Sequence, residues 1–434
     1  MRRSGVCATA LSVLLVACTG LGQAGHSGKA LHIGVDLPLS GAEAAAGKPA
    51  LNGVSFYIQQ HPTLDGFDVS AVSADDATGG KPSPSHGITN VMRFLKDPNL
   101  VAMIGPLDSS VARREIPIAN AAALVMVTPA TSSPCLTRDI FLPALLNPTR
   151  TAISCHDVGL PPASMLRPAS YINFYRLSTT DDLQGPAAAD YMFKTLHLLR
   201  AAVISDHEAY GQGLATAFTA HLEALGGTVL GQFVLDPAAP DATTFLKAMK
   251  DAGAQAVYFG GSTQGHGCAV RAQMKTVFPP GETTPFFSGD GVAEDPQCVK
   301  EADANAAGIY ATVPIVDAGS RAGASQTISA FKASFGDASD YGPLTMPAYD
   351  ATGVLYAALD RAIRMTGGQL PARSDVIAEV GSTKSFAGTT GTIGFDSAGD
   401  TTNRLVSIFE PGSSDPRTAW KLVTTMDYSA KLPY

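Results

Sequence analysis

Two segments of the chain, Ile104–Thr137 and Val203–Gly213, set small hydroxyls and an aromatic ring directly after apolar runs. In the first, Leu100–Ile104 passes through Gly105-Pro106-Leu107-Asp108 into Ser109 and Ser110, where the spacing of Ile116, Ile118 and Ala122 predicts a helix. Serines at a helix N-terminus put hydroxyls beside free N–H groups and the positive end of the dipole, a cradle for a carboxylate. The same residues are ordinary caps and turn formers. The next apolar run, Leu124–Val127, ends in a second hydroxyl-rich loop, Thr128-Pro129-Ala130-Thr131-Ser132-Ser133-Pro134. Asp290, in the turn Gly289-Asp290-Gly291 after Pro285–Ser288, offers a carboxylate where an ammonium could be paired. Tyr210 precedes a glycine at a predicted helix start, suited to packing or to stacking on a ligand.

Such residues need a frame, and the chain supplies an alternating one. Strands are predicted at Leu31–Leu37, Val69–Val72, Leu100–Ile104 and Leu124–Val127, with helices at Pro49–Gln60, Ser85–Leu95 and Ser110–Ala123. A second series of strands follows at Ala201–Ser205, Val229–Leu235, Ala256–Phe259, Pro285–Ser288 and Ile309–Val313. Its helices are expected at Pro186–Leu199, Gly213–Leu225, Ala242–Ala252 and Gly267–Val277. The fold class is therefore α/β, two doubly wound parallel-sheet lobes joined by hinge strands, with a ligand in the cleft between them. Residues 31–182 plus 313–388 are expected to form the first lobe, and 183–312 plus 389–434 the second. The late helix Pro347–Met365 and the strand-like runs Thr389–Phe395 and Arg404–Phe409 complete the lobes, and the crossings act as hinges.

The 434 residues are 45% hydrophobic and 16% charged, enough for a large core. A net charge of -8, with no run of Lys or Arg, excludes the basic stripe that nucleic acid requires. Arg2 and Arg3 precede an apolar run from Val6 through Ala17, too short to span a bilayer and fit for an export signal over residues 1–17. That run ends in Leu15-Val16-Ala17-Cys18, which resembles a bacterial lipoprotein signal. Lipidation of Cys18 would anchor the protein through a tether over 18–30. The address is then the periplasm or cell surface.

With Cys7 removed and Cys18 lipidated, four cysteines remain. Of three possible connectivities, the short-range pairs Cys135–Cys155 and Cys268–Cys298 are the simplest. No CxxC, HxxxH or HExxH occurs, so neither a metal nor another cofactor is expected. Gly41–Lys48 has five residues between its glycines and Pro49 where a phosphate loop needs Ser or Thr, and no GxSxG is present. An enzyme is not expected.

From about Leu31 onwards the chain resembles the leucine/isoleucine/valine-binding proteins, solute receptors of branched-chain amino acid ABC transporters. The residues that carry the resemblance are Pro38-Leu39-Ser40-Gly41 with Gly47, Asp75-Asp76, Ile104-Gly105-Pro106-Leu107 with Ser109-Ser110, and Thr128-Pro129-Ala130-Thr131-Ser132. Gln184-Gly185-Pro186, Tyr210-Gly211, Tyr258-Phe259-Gly260-Gly261 and Gly289-Asp290-Gly291 follow in order. The resemblance implies a type I periplasmic binding protein that captures an amino acid or related small carboxylate and delivers it to the membrane subunits of a permease. The protein would be a monomer, with a lipid-anchored sensory receptor as the alternative. It further implies that Ser109 binds a carboxylate, that Ser132 and the Ala130 backbone contact both ends of the ligand, and that Tyr210 closes over it. Asp290, with Asp181 near it, would pair with the amine. Ala46 stands where family members often carry an aromatic ring, which implies a wider pocket, and Thr78 and Asp108 replace a common cysteine pair. The segment between Leu136 and Asp181 is longer than its counterpart by some twenty residues and is expected at the cleft rim.

Overall fold

The computed structural model describes residues 29–430 apart from 42, 150, 279–283, 294, 303–305, 336–340 and 413–419. The export signal and Cys18 lie outside the described residues. The first sheet is built on Lys29–Leu37, whose alternate residues Leu31, Ile33, Val35 and Leu37 are fully buried. Its order is Phe174–Arg176, Val125–Thr128, Leu100–Ile104, Lys29–Leu37, Phe67–Asp75, Thr63–Leu64, parallel except for the last pair. The second sheet runs Thr228–Val234, Arg200–Ser205, Ala256–Gly260, Phe286–Ser288, Ile309–Val313, Leu405–Pro411, Trp420–Asp427, its last two strands antiparallel to their neighbours. Continuous apolar strands such as Leu100–Ile104, buried at all five positions, are what helices on both faces of a parallel sheet demand.

Each sheet reverses its strand order once, where Lys29–Leu37 meets Leu100–Ile104 and where Arg200–Ser205 meets Ala256–Gly260. Ligands of doubly wound sheets bind outside the carboxyl ends of strands at such points. Ser109 follows the first and Tyr210 the second. Gly105 makes the first turn possible: its φ is +103°, and a Cβ there would lie 2.0 Å from the Asp36 carbonyl oxygen.

Three segments cross between the sheets side by side. The Thr179 N–H donates to the Pro314 oxygen at 2.6 Å, the Thr179 hydroxyl to the Leu405 oxygen at 2.8 Å, and the Ser407 hydroxyl to the Ile315 oxygen at 3.0 Å. The expected division at 388/389 moves later, because Gly391–Ile393 pairs with Phe386–Gly388, and Ile393 and Phe395 pack in the first core beside Tyr175 and Val354. The apolar run belongs to a small hairpin against the long helix Thr345–Met365. The expected helix from Pro186 begins instead at Asp181, since Asp181 and Asp182 in its first turn favour the positive end of the dipole. Similarly, Ala44-Ala45-Ala46 carries the first helix back to Ala44, leaving Pro49 in its interior.

Cys135 is joined to Cys155 and Cys268 to Cys298. The long segment after Leu136 bridges the two cores. Leu136 and Leu166 pack with Ile116, Ala119 and Phe174 of the first lobe, while Phe141, Leu142 and Leu146 pack with Leu183, Ala187, Ala217 and Ala220 of the second. The Phe141 ring lies on Gly213, where a Cβ would be 2.5 Å from its Cζ. Closing a loop of this length restricts the unfolded chain, so replacing both Cys135 and Cys155 by serine is expected to lower unfolding free energy by ~3 kcal/mol in denaturant titrations. An unchanged midpoint would refute a structural role. Among the described residues no helix is long and apolar enough to cross a membrane.

Candidate functional site

Four of the expected residues meet where the lobes adjoin. The Tyr210 hydroxyl, from the start of the helix Ala209–Ala224, donates to Asp290 Oδ1 at 2.5 Å and accepts from the Gly291 N–H at 3.1 Å. Gln184, one turn into the helix Asp181–Asp190, donates through Nε2 to Asp290 Oδ1 at 2.9 Å and to Asp181 Oδ1 at 3.0 Å. Its Oε1 accepts from the Asp290 N–H and from the Thr312 hydroxyl, both at 3.2 Å. The Asp181 N–H donates to the Ser132 carbonyl at 2.9 Å, and the Ser132 side chain acts to lower the Asp181 carboxyl. Thus one amide side chain holds two carboxylates of the second lobe together, and the Asp181 N–H carries the cluster to Ser132 of the first.

Two like charges in a dry place cannot both ionise freely. Burial, reinforced by the charge of Asp290, pushes the Asp181 carboxyl up to about 7, and burial raises Asp290 against the hydrogen bonds of Tyr210 and Gln184. The Tyr210 phenol is raised well above its ordinary value by burial and by the charges of Asp290 and Asp181. The hydroxyl of the fully buried Tyr258, whose ring stacks on Phe218 within the field of both acids, has no hydrogen-bond partner among the described residues. An ammonium group is the ligand chemistry that such a pair of acids would neutralise.

The hydroxyl side differs from expectation. Asp108, one residue before the helix Ser109–Ala121, is its cap: Oδ1 accepts from the Ser110 N–H at 2.7 Å, the Val111 N–H at 3.1 Å and the Ser110 hydroxyl at 2.5 Å. A capping aspartate satisfies the orphan donors that would have drawn an anion. Ser109 stands just inside, its oxygen accepting from the Ser133 N–H at 3.3 Å, which leaves its own proton to give. The Ala130 N–H is spent on the Thr128 hydroxyl at 3.1 Å, and its carbonyl accepts from Thr131 and Ser178, both at 2.7 Å. The expected ligand contact from the Ala130 backbone therefore has no free donor.

Arg176 supports this loop and escaped sequence reasoning. It is fully buried at the end of Phe174–Arg176, donating to the carbonyls of Thr131 at 2.7 Å and Ser133 at 2.8 Å, to Asp400 at 2.7 Å and to the Thr137 hydroxyl. Thr131 sits at φ +60°, a strained conformation for a β-branched residue, which the two carbonyl contacts hold in place. Asp400 also binds Arg138 at 2.8 Å, and these two arginines outweigh burial to hold its carboxyl below the usual range. Arg176→Met is expected to cost about 3 kcal/mol in thermal or chemical unfolding, because it leaves Asp400 short of a partner in the interior. Loss of less than about 1 kcal/mol would show the pair to be dispensable. Gln184 and Asp108 were also missed as site residues, although each stands in a motif or departure that the sequence displays.

The family model described as periplasmic binding protein matches residues 30–415. A leucine-, isoleucine-, valine-, threonine- and alanine-binding protein of Pseudomonas aeruginosa is 26% identical over 419 residues, 95% of this chain and 98% of the relative. An amino acid binding protein of the same organism is 28% identical over 296 residues, 68% and 67% of the two chains. Among solved structures, a leucine-binding protein from Thermotoga maritima superposes with a TM-score of 0.68 at 23% identity, covering 92% of this chain and 99% of that one. A solute-binding protein of an R. palustris ABC transporter, bound to 4-hydroxybenzoate, gives 0.70 at 17% identity, with 92% and 97% covered. With its two doubly wound sheets and the matched span, the chain belongs to the periplasmic binding protein family and has the type I fold of the leucine/isoleucine/valine-binding proteins.

Proposed function

We propose that the protein captures a small amine-bearing solute, an amino acid or a related compound, between its lobes and delivers it to an ABC permease from a lipid anchor at Cys18. The observation that carries this reading is the Asp181–Gln184–Asp290–Tyr210 cluster, which gathers three elements of the second lobe into one hydrogen-bonded unit and reaches the Ser132 carbonyl of the first through the Asp181 N–H. Ser109 supplies a hydroxyl for the ligand's other end. Closure around the solute would exclude water and strengthen the charge pairs, and differential affinity for the closed form would drive it. The two Pseudomonas aeruginosa relatives are amino acid binding proteins, which supports the solute class. Capture without chemistry is the reading, so an incubated ligand should return unchanged in mass.

A thermal-shift screen tests capture. A solute at 100 times its dissociation constant should add ≈2.7 kcal/mol of stability. The anchor has its own test: Cys18→Ala should move the protein from the membrane to the soluble fraction of the envelope, and unchanged fractionation would refute lipid attachment.

A further inference from the structure

Resting on the capture reading, we propose that the solute carries net positive charge, an amine or guanidinium not balanced by a strongly held carboxylate. Acids reach the cleft from both lobes. The Gln264 side chain of the second lobe donates through Nε2 to Glu43 Oε1 of the first at 3.1 Å. Glu43 heads the helix Ala44–Gln60 and lies within the electrostatic reach of Asp108 in its own lobe and Asp295 in the other. Behind this mouth stand Asp181 and Asp290, bound to the same Gln184 amide. Arg113 lies within the electrostatic reach of Asp108, and Arg176, already committed to Asp400, within that of Asp181. Among the described residues none of these five acids makes an ion pair with lysine, arginine or histidine.

The donors that would hold an anion are largely spent. Asp108 takes the N–H groups of Ser110 and Val111 and the Ser110 hydroxyl. Ala130 gives its N–H to Thr128, and the Ser132 side chain is turned to Asp181, whose carboxyl it acts to lower. Ser109 keeps one free proton. A second mark of an absent partner is the Tyr258 hydroxyl, fully buried and unpartnered in the field of Asp181 and Asp290. A monoanion would meet like charge at the mouth and at the seam. A cation would neutralise both, and a neutral zwitterion only the seam.

Titration calorimetry on the full chain with L-arginine, agmatine, L-leucine and benzoate separates these cases. Agmatine is arginine without its carboxylate. L-arginine and agmatine are expected to bind about tenfold or more tightly than L-leucine, with benzoate weakest, and Glu43→Gln is expected to narrow the arginine-to-leucine ratio. Tight binding of L-leucine or benzoate with weak or no binding of the two guanidines would overturn the charge assignment and leave solute capture standing. Heat from none of the four would overturn both.

Discussion

Asp290→Asn is expected to weaken binding of an amine-bearing solute by about 2–5 kcal/mol, roughly thirtyfold to several thousandfold, while making the unliganded protein more stable near neutral pH. The two effects have one cause. In the free protein burial and the repulsion of Asp290 together raise Asp181 to about 7, so the pair holds a proton that the unfolded chain would have released. A raised carboxyl confers its full stability below the unfolded value near 4, and that stability is lost as pH climbs through the folded value. Removing Asp290 lowers Asp181 and returns part of that loss. The ligand sees the reverse: an ammonium binds best to ionised acids, so wild-type affinity should rise between pH 5 and 8, and in the variant the rise should shift to lower pH. Calorimetry across that range, paired with unfolding curves, checks both signs. A variant that loses stability and keeps its affinity would mark Asp290 as scaffold.

The fold was legible because apolar runs alternate with amphipathic ones, and the two sheets appear where that alternation placed them. Short-range pairing of Cys135 with Cys155 and Cys268 with Cys298 was also the simplest choice available. What could not be read is contact across distance. Nothing in the local sequence of Gln184 says that it will bridge two acids, one of them 106 residues away. Arg176 at the end of a three-residue strand looks like any surface arginine until Asp400, from the far end of the chain, is brought beside it. The helix end at Ser109 and Ser110 differs from the expected anion cradle for a local reason: the residue before them is a better cap, and an aspartate there reverses the charge the helix end presents.

Asp76→Asn is expected to raise stability by on the order of 5 kcal/mol at pH 8 and to leave it nearly unchanged at pH 4. Beneath the loops at the carboxyl end of the first sheet, Asp36, Asp76 and Glu115 are fully buried together. Asn90 donates to Asp36 Oδ1 at 2.8 Å, while Asp36 Oδ2 and both Glu115 oxygens have no partner among the described residues. Among the described residues neither Asp76 oxygen has a partner. Burial, with the charges of Asp36, Asp108, Asp75 and Glu43, pushes Asp76 up to about 8. Burial alone leads the rise of Asp36 to about 6 and of Glu115 well above its ordinary value. Arg93, acting on Asp36, opposes part of this. From pH 4 to 8 the native state therefore holds protons that the unfolded chain has released, and stability falls as pH rises. The asparagine cannot ionise, and its amide can donate to the unpartnered oxygens of Asp36 and Glu115. Below pH 4 the trend inverts, since Asp400 and Asp190 are held low by their partners and lose those contacts on protonation. Denaturant midpoints from pH 4 to 9 should diverge steadily between wild type and variant. Parallel curves would mean that Asp76 is ionised in the native state, and a cation would then have to lie beside it.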